Sequence, residues 1–195
     1  MNNLLTTQPK DMHSDANALE FVMRRFLDRH GFITVGQVVS FNKEKNQVNI
    51  MPMLHAFTGS GSKVDGEVIY GIPVSRIQRG NSAIIMDPVP GDIGMMFICD
   101  RDISTIKETK KPALPGTNRM HSFSDAIYLG SILGEEPTQS IEFSDNIKIT
   151  APNGIEINGL KIHGDGKLQL VTGVIVDTHV HGGVESGGAT TSPPE

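Results

Sequence analysis

Ile141-Glu142-Phe143, Ile147-Lys148-Ile149, Ile155-Glu156-Ile157, Leu160-Lys161-Ile162, Leu168-Gln169-Leu170 and Val174-Ile175-Val176 are short triplets with an apolar residue at each end. Between them stand Ser144-Asp145-Asn146, Ala151-Pro152-Asn153-Gly154, Asn158-Gly159, Gly164-Asp165-Gly166 and Thr172-Gly173. This is an irregular internal repeat of very short strands and tight turns. One copy holds too little apolar material for a core of its own. Several chains wound round a common axis would pool the apolar residues inside. Glu142, Lys148, Glu156, Lys161 and Gln169 would then face water. An intertwined trimeric, triple-stranded β-helix fits this pattern over residues 141–176 and hides the sheet edges that invite aggregation. A single-chain solenoid fits less well, because the repeat is short and has no caps.

The last triplet runs into Asp177-Thr178-His179-Val180-His181-Gly182-Gly183. Alternation continues through it, so His179 and His181 point to one face of an extended strand, about 7 Å apart. The glycine pair lets the backbone turn sharply. Two imidazoles hold a metal weakly. Three such strand ends meeting at one point would supply six nitrogens. Six-coordinate nitrogen sites suit Fe(II), Co(II) or Ni(II), whereas zinc prefers four ligands. A different reading is a metal-dependent hydrolase built on His179, His181, Asp177 and His163. That chemistry needs an open coordination position, so ligand count separates the two.

Upstream, residues 1–13 read as an arm. Ser14 or Asn17 can cap a helix reaching His30, with Leu19, Val22, Met23, Phe26 and Leu27 at helical spacing and Gly31 as a stop. Its apolar stripe is expected to pack on the domain that follows. From Phe32 the period changes to two. Thr34–Phe41, Gln47–Met53, Glu67–Pro73, Val74–Ile77, Ala83–Met86 and Ile93–Cys99 read as strands separated by polar or Pro/Gly turns. That many short strands in about seventy residues predicts a small closed barrel of the OB type over residues 32–106.

Asp100-Arg101-Asp102 is read as a salt-bridged strand end, because a catalytic carboxylate pair needs a partner and a pocket that no motif supplies. Cys99 lies in an apolar strand and is read as a buried thiol. Residues 107–140 read as a linker and connector, in which His121 and Asp125 are hydrogen-bonding groups.

Composition narrows the function classes. The chain has 195 residues, a formal charge of -5, 5% aromatics and no Trp. An acidic, aromatic-poor chain is a poor match to a single-strand nucleic-acid binder, which works through basic grooves and stacking platforms. The one cysteine excludes an intrachain disulfide. No apolar run approaches a membrane span, and the first residues lack the basic start and apolar core of a secretory signal. The expectation is synthesis in the cytoplasm. No catalytic residues are expected.

Three blocks resemble one family. Pro88-Val89-Pro90-Gly91-Asp92, running on to Asp100-Arg101-Asp102, resembles the end of its N-terminal OB-like domain. Arg119-Met120-His121-Ser122-Phe123-Ser124-Asp125-Ala126-Ile127 resembles its connector, and Asp177–Gly183 with the Gly/Ser/Pro tail resembles its apex. The family is the central baseplate spike, or membrane-piercing needle, of contractile-tailed bacteriophages such as Mu, and the likeness covers roughly residues 30–195. It implies an all-β homotrimer: arm and helix (1–31), OB collar (32–106), connector (107–140), β-helix (141–176) and apex (177–195). It implies one iron ion per trimer, shared by His179 and His181 of three chains on the threefold axis. It also implies a place at the tail baseplate tip of the virion, hub proteins bound by the collar, and a host outer membrane pierced at the apex. Neither a nucleic acid nor a small-molecule substrate is implied. Some relatives carry a lysozyme domain between collar and helix; this chain has no room for one, so cell-wall hydrolysis is not implied.

Overall fold

The computed structural model describes residues 9–28, 32–58 and 62–180. The chain divides into two units, 1–134 and 135–195.

Unit 1 begins with a 3-10 turn, Pro9–Met12, and helix α1, Asp15–Asp28. Ser14 caps α1: its Oγ accepts from the Asn17 amide at 3.2 Å. The helix rests on the preceding turn, where Arg24 Nη2 donates to Asp11 Oδ1 at 3.0 Å. Asp11 is buried by this contact, so residues 9–12 are more than an arm. The expected packing of the apolar stripe is not found. Leu19, Val22, Met23 and Phe26 are 59–62% exposed, because the face that the chain covers is the one carrying Arg24.

The strands of unit 1 follow in chain order. They are β1 Ile33–Asn42, β2 Gln47–Pro52, β3 Ala56–Phe57, β4 Lys63–Val64, β5 Ile69–Pro73, β6 Ile77–Arg79, β7 Ser82–Ile84 and β8 Ile93–Ile98. Helix α2, Ser104–Thr109, and strand β9, Ala126–Ser131, complete the unit. One antiparallel sheet has the order β5-β2-β1-β8-β9. It curls until its edges touch: Val74 pairs in parallel with Tyr128, and the Ser75 amide donates to the Tyr128 carbonyl at 2.8 Å. Strands β3–β4 and β6–β7 are separate hairpins.

Alternation decides the core. Val48 and Ile50 of β2, Met96 and Ile98 of β8, and Ala126 and Tyr128 of β9 are fully buried, and Val38 and Ile72 join them. Gly36 lies opposite Gly94 across β1 and β8. A methyl group at Gly36 would collide with Ile50 and Met96, and one at Gly94 with Tyr128 and the Gly130 carbonyl. These two glycines make the space that the large inward side chains fill. The segment read as connector therefore supplies a sheet strand: Ala126–Ser131 pairs with β8 and closes the core, and the unit runs to Gly134.

Between β8 and β9 the chain is tied by charge. Asp125 is 0% exposed and Asp102 is 3% exposed, and the Arg119 guanidinium touches both. Asp102 also accepts from the Ser104 amide at 2.8 Å and the Thr117 hydroxyl at 2.7 Å, and Asp125 from the Ile103 amide at 3.1 Å. The ion-paired strand end expected at Asp100–Asp102 is real, but its centre is Asp102 with Arg119 and Asp125.

Unit 2 is built of β10 Ser140–Phe143, β11 Ile147–Thr150, β12 Ile155–Ile157, β13 Leu160–Ile162 and β14 Leu168–Gln169. Strands β10 and β11 form one ladder, and β12–β13–β14 form another. Asn158 (φ 50°) and Gly159 (φ 88°) join β12 to β13, the two positive φ angles of a two-residue hairpin turn.

Candidate functional site

Each hairpin of unit 2 sorts its residues by face. Across β10–β11, Ile141 pairs with Ile149 and Phe143 with Ile147, while Glu142 pairs with Lys148. Across β12–β13, Ile155 pairs with Ile162 and Ile157 with Leu160, while Glu156 pairs with Lys161. Directly opposite residues share a face, and neighbours along a strand do not. One face of each ladder is therefore apolar and the other charged.

The charged face is held loosely. Lys148 Nζ lies 3.7 Å from Glu142 Oε1, and Lys161 Nζ lies 4.0 Å from Glu156 Oε2, all exposed. Such pairs contribute at most about 1 kcal/mol each. Among the described residues the apolar face of β10–β11 is left open. Ile141 is 61% exposed, Phe143 78% and Ile147 65%. No residue from 135 to 180 is buried. Isolated short hairpins are marginal in water, and contiguous apolar patches mark contact surfaces.

The ladder leads towards the histidines. Gln169 bridges to Ile175, and a turn at Val176–Thr178 delivers His179, which is exposed. His179 Nδ1 lies 2.7 Å from the Val176 carbonyl oxygen. A carbonyl only accepts, so Nδ1 is the donor in this contact. This is the tautomer and support that a metal-bound imidazole uses. His181 lies outside the described residues.

The other candidates separate from this end. His163 Nε2 is engaged by Gln169 Oε1 at 2.8 Å. Asp165 is held below its ordinary range by the hydrogen bond and charge of Lys167. Among the described residues, no three His, Cys, Asp or Glu side chains gather closely enough to hold a metal. The described members of the hydrolase set, His163, Asp177 and His179, are thus not assembled within one chain. Cys99 is half-buried, and burial, with Asp125 and Asp100 nearby, pushes its thiol up. That disfavours the thiolate a nucleophile needs. His121 packs edge-on against Phe32, ring centroids 4.7 Å apart, with Nδ1 3.6 Å from Asp100 Oδ1.

Residue spacing gave no hint of the Arg119 clamp. Asp125 follows Arg119 by only six residues, but Asp102 lies much further back, and charge alone does not say which pairs are buried. No helix among the described residues is long and apolar enough to cross a membrane.

Residues 35–130 match the family model described as the phage protein Gp138 N-terminal domain. The matched segment runs from β1 to β9, so it takes in all five strands of the curled sheet. No curated protein matches the chain. Over residues 35–130 the chain is thus similar to the N-terminal domain of the phage protein Gp138.

Proposed function

We propose that this chain is the central spike at the tip of a contractile phage tail baseplate, a homotrimer that pierces the host outer membrane. The observation that carries the reading is unit 2: its apolar residues share one face of each ladder, and none is buried in a single chain. Three copies twined about an axis bury that face and leave the Glu–Lys pairs in water. The backbone hydrogen bonds and apolar core are then shared by three chains, which makes a narrow rod resistant to buckling.

Unit 1 is the collar. Going round its sheet, the order β1-β2-β5-β9-β8, with a parallel bridge from Val74 to Tyr128, supports an OB barrel. The phage-domain match falls on this barrel, and the barrel is the part that attaches to hub proteins of the baseplate.

His179 and His181 of three copies would hold one iron ion through six imidazoles. The Val176 carbonyl fixes the His179 ring for that task. When bound, the ion ties three strand ends together at the point where fraying would begin. No chemical step is required, because tail contraction supplies the work.

Light scattering on the full chain and on a form ending at Gly134 tests the reading. The full chain is expected to be trimeric and the shortened form to lose the trimer. A monomeric full chain, or an equally trimeric shortened form, contradicts unit 2 as the assembly element.

A further inference from the structure

Strand β8 reads Ile93-Gly94-Met95-Met96-Phe97-Ile98, without one polar side chain. An unbroken run of this kind belongs to a strand covered on both faces. Met96 and Ile98 point into the core, so Met95 and Phe97 point outward. The register puts Phe97 between Ile33 of β1 and Ile127 of β9, and Met95 beside Val35. The solvated side of an antiparallel sheet ordinarily carries polar residues. Here Ile33 is 57% exposed, Phe97 46% and Leu129 44%.

We infer that the outer β1–β8–β9 faces of three copies turn to a common axis and cover one another. This rests on the trimer reading above. The apolar surface leads along the chain towards the assembly element. Past β9 it goes on through Ile132 and Leu133, 49% and 65% exposed, whose amides donate to the Ile93 carbonyl at 2.9 and 3.3 Å. Those bonds hold this stretch beside the start of β8. Two residues after Leu133 the chain passes into unit 2, whose apolar faces the trimer reading buries between copies. Charge points the same way. Each copy carries a formal charge of -5, and like charges set face to face are costly. Copies of an acidic chain therefore meet on a surface without charge, and β1, β8 and β9 hold no charged residue.

Area sets the rank of this contact. Ile33, Phe97, Leu129, Ile132 and Leu133 are each about half exposed. Together they present roughly 500 Å², taking 150–250 Å² for a large side chain. A stable interface takes about 800 Å² from each partner. The face is too small to gather copies by itself. It seals the collars of copies that unit 2 has brought together, and in return β8 receives the second cover that its sequence requires.

The test uses the full chain with Cys99→Ser as background. Leu129→Cys and Phe97→Cys, made separately, report on the face, and Tyr70→Cys, at a position 72% exposed on β5, is the reference. Each protein is weighed by light scattering, and its rate of reaction with a maleimide is followed under native conditions. The same three cysteines are followed in the chain carrying both Ile149→Asp and Ile157→Asp, which the trimer reading leaves monomeric. The expected result is a trimer in which both face cysteines react roughly tenfold slower than Tyr70→Cys, or more, because the faces must part before the reagent enters. In the monomeric chain the gap should shrink to about twofold, in line with exposures of 44–46% against 72%. A trimer in which the face cysteines react as fast as Tyr70→Cys overturns the docking and leaves the trimer standing. A tenfold gap that persists in the monomeric chain means that the chain covers its own face, which also overturns the docking. A background protein that is not trimeric, or a doubly substituted chain that still is, overturns the trimer reading and the docking together.

Discussion

Arg119 grips Asp125 with two hydrogen bonds, Nε to Oδ2 at 2.7 Å and Nη2 to Oδ1 at 2.9 Å. Asp125 immediately precedes β9 and is 0% exposed. Its main chain also takes part, since its carbonyl accepts from the Cys99 amide at 3.1 Å. The pair thus fixes the connector to the end of β8 and aligns β9 to close the sheet. Replacing Arg119 by Met removes the fork and leaves two buried carboxylates without their cation. The melting midpoint of unit 1 is expected to fall by roughly 5–10 °C, and Arg119→Lys should recover only part of it. Calorimetry on the two variants checks this; equal midpoints for wild type and Arg119→Met would deny the clamp its role.

Acid should weaken the same cluster. The Ser104 hydroxyl and amide, then the Thr117 hydroxyl, with the charge of Arg119, hold the Asp102 carboxyl well below the usual carboxylate range. In the unfolded chain it returns to its ordinary value of 3.8. Below that value the unfolded state binds more protons than the folded one, so the contribution is complete above it and drains away as pH falls further. Thermal melts from pH 6 to about pH 2.5 should show the midpoint dropping at the acid end. Asp102→Asn should melt lower at pH 6 and change less with acid. Parallel curves for the two proteins would show that Asp102 is not the group responsible.

The two faces of unit 2 should answer differently to substitution. Ile157→Asp or Ile149→Asp would bring three unpaired carboxylates to one axis, which is costly enough to prevent assembly. Glu156→Gln loses only an exposed pair with Lys161 at 4.0 Å and should assemble normally. Sedimentation of the three variants decides the matter. A trimeric Ile157→Asp protein would mean that the apolar face of β12–β13 is not the buried one.

Much of this architecture could be read in the residues, and the parts that could not have physical reasons. Triplets such as Ile155-Glu156-Ile157 announced their two faces, because alternation is a local property and Asn158-Gly159 names its own turn. Strands β1, β2, β5 and β8 were legible in the same way, whereas the two-residue strands β3 and β4 fell between the expected ones. Strand β9 was not: Ala126-Ile127-Tyr128-Leu129 is apolar throughout, follows a charged stretch, and gains its place only from pairing with β8. The stripe of α1 was visible, but what it packs against is decided by the Arg24–Asp11 contact, which spacing does not report. The pairing of His179 with the Val176 carbonyl was equally hidden. It depends on the turn between them, where the expectation was an unbroken strand.

The histidines can be tested apart from the fold. His179→Ala with His181→Ala should abolish metal binding while the trimer persists on its apolar core. Metal-bound imidazole must be neutral, so acid should release the ion from the native protein. Elemental analysis against protein concentration reads both effects. Metal retained by the double variant would place the site elsewhere.

Native mass spectrometry of the full chain counts chains and metal in one particle. A trimeric spike with a shared apex site gives a mass of three chains carrying a single iron ion. A monomer, or a particle with one metal for every chain, would contradict it.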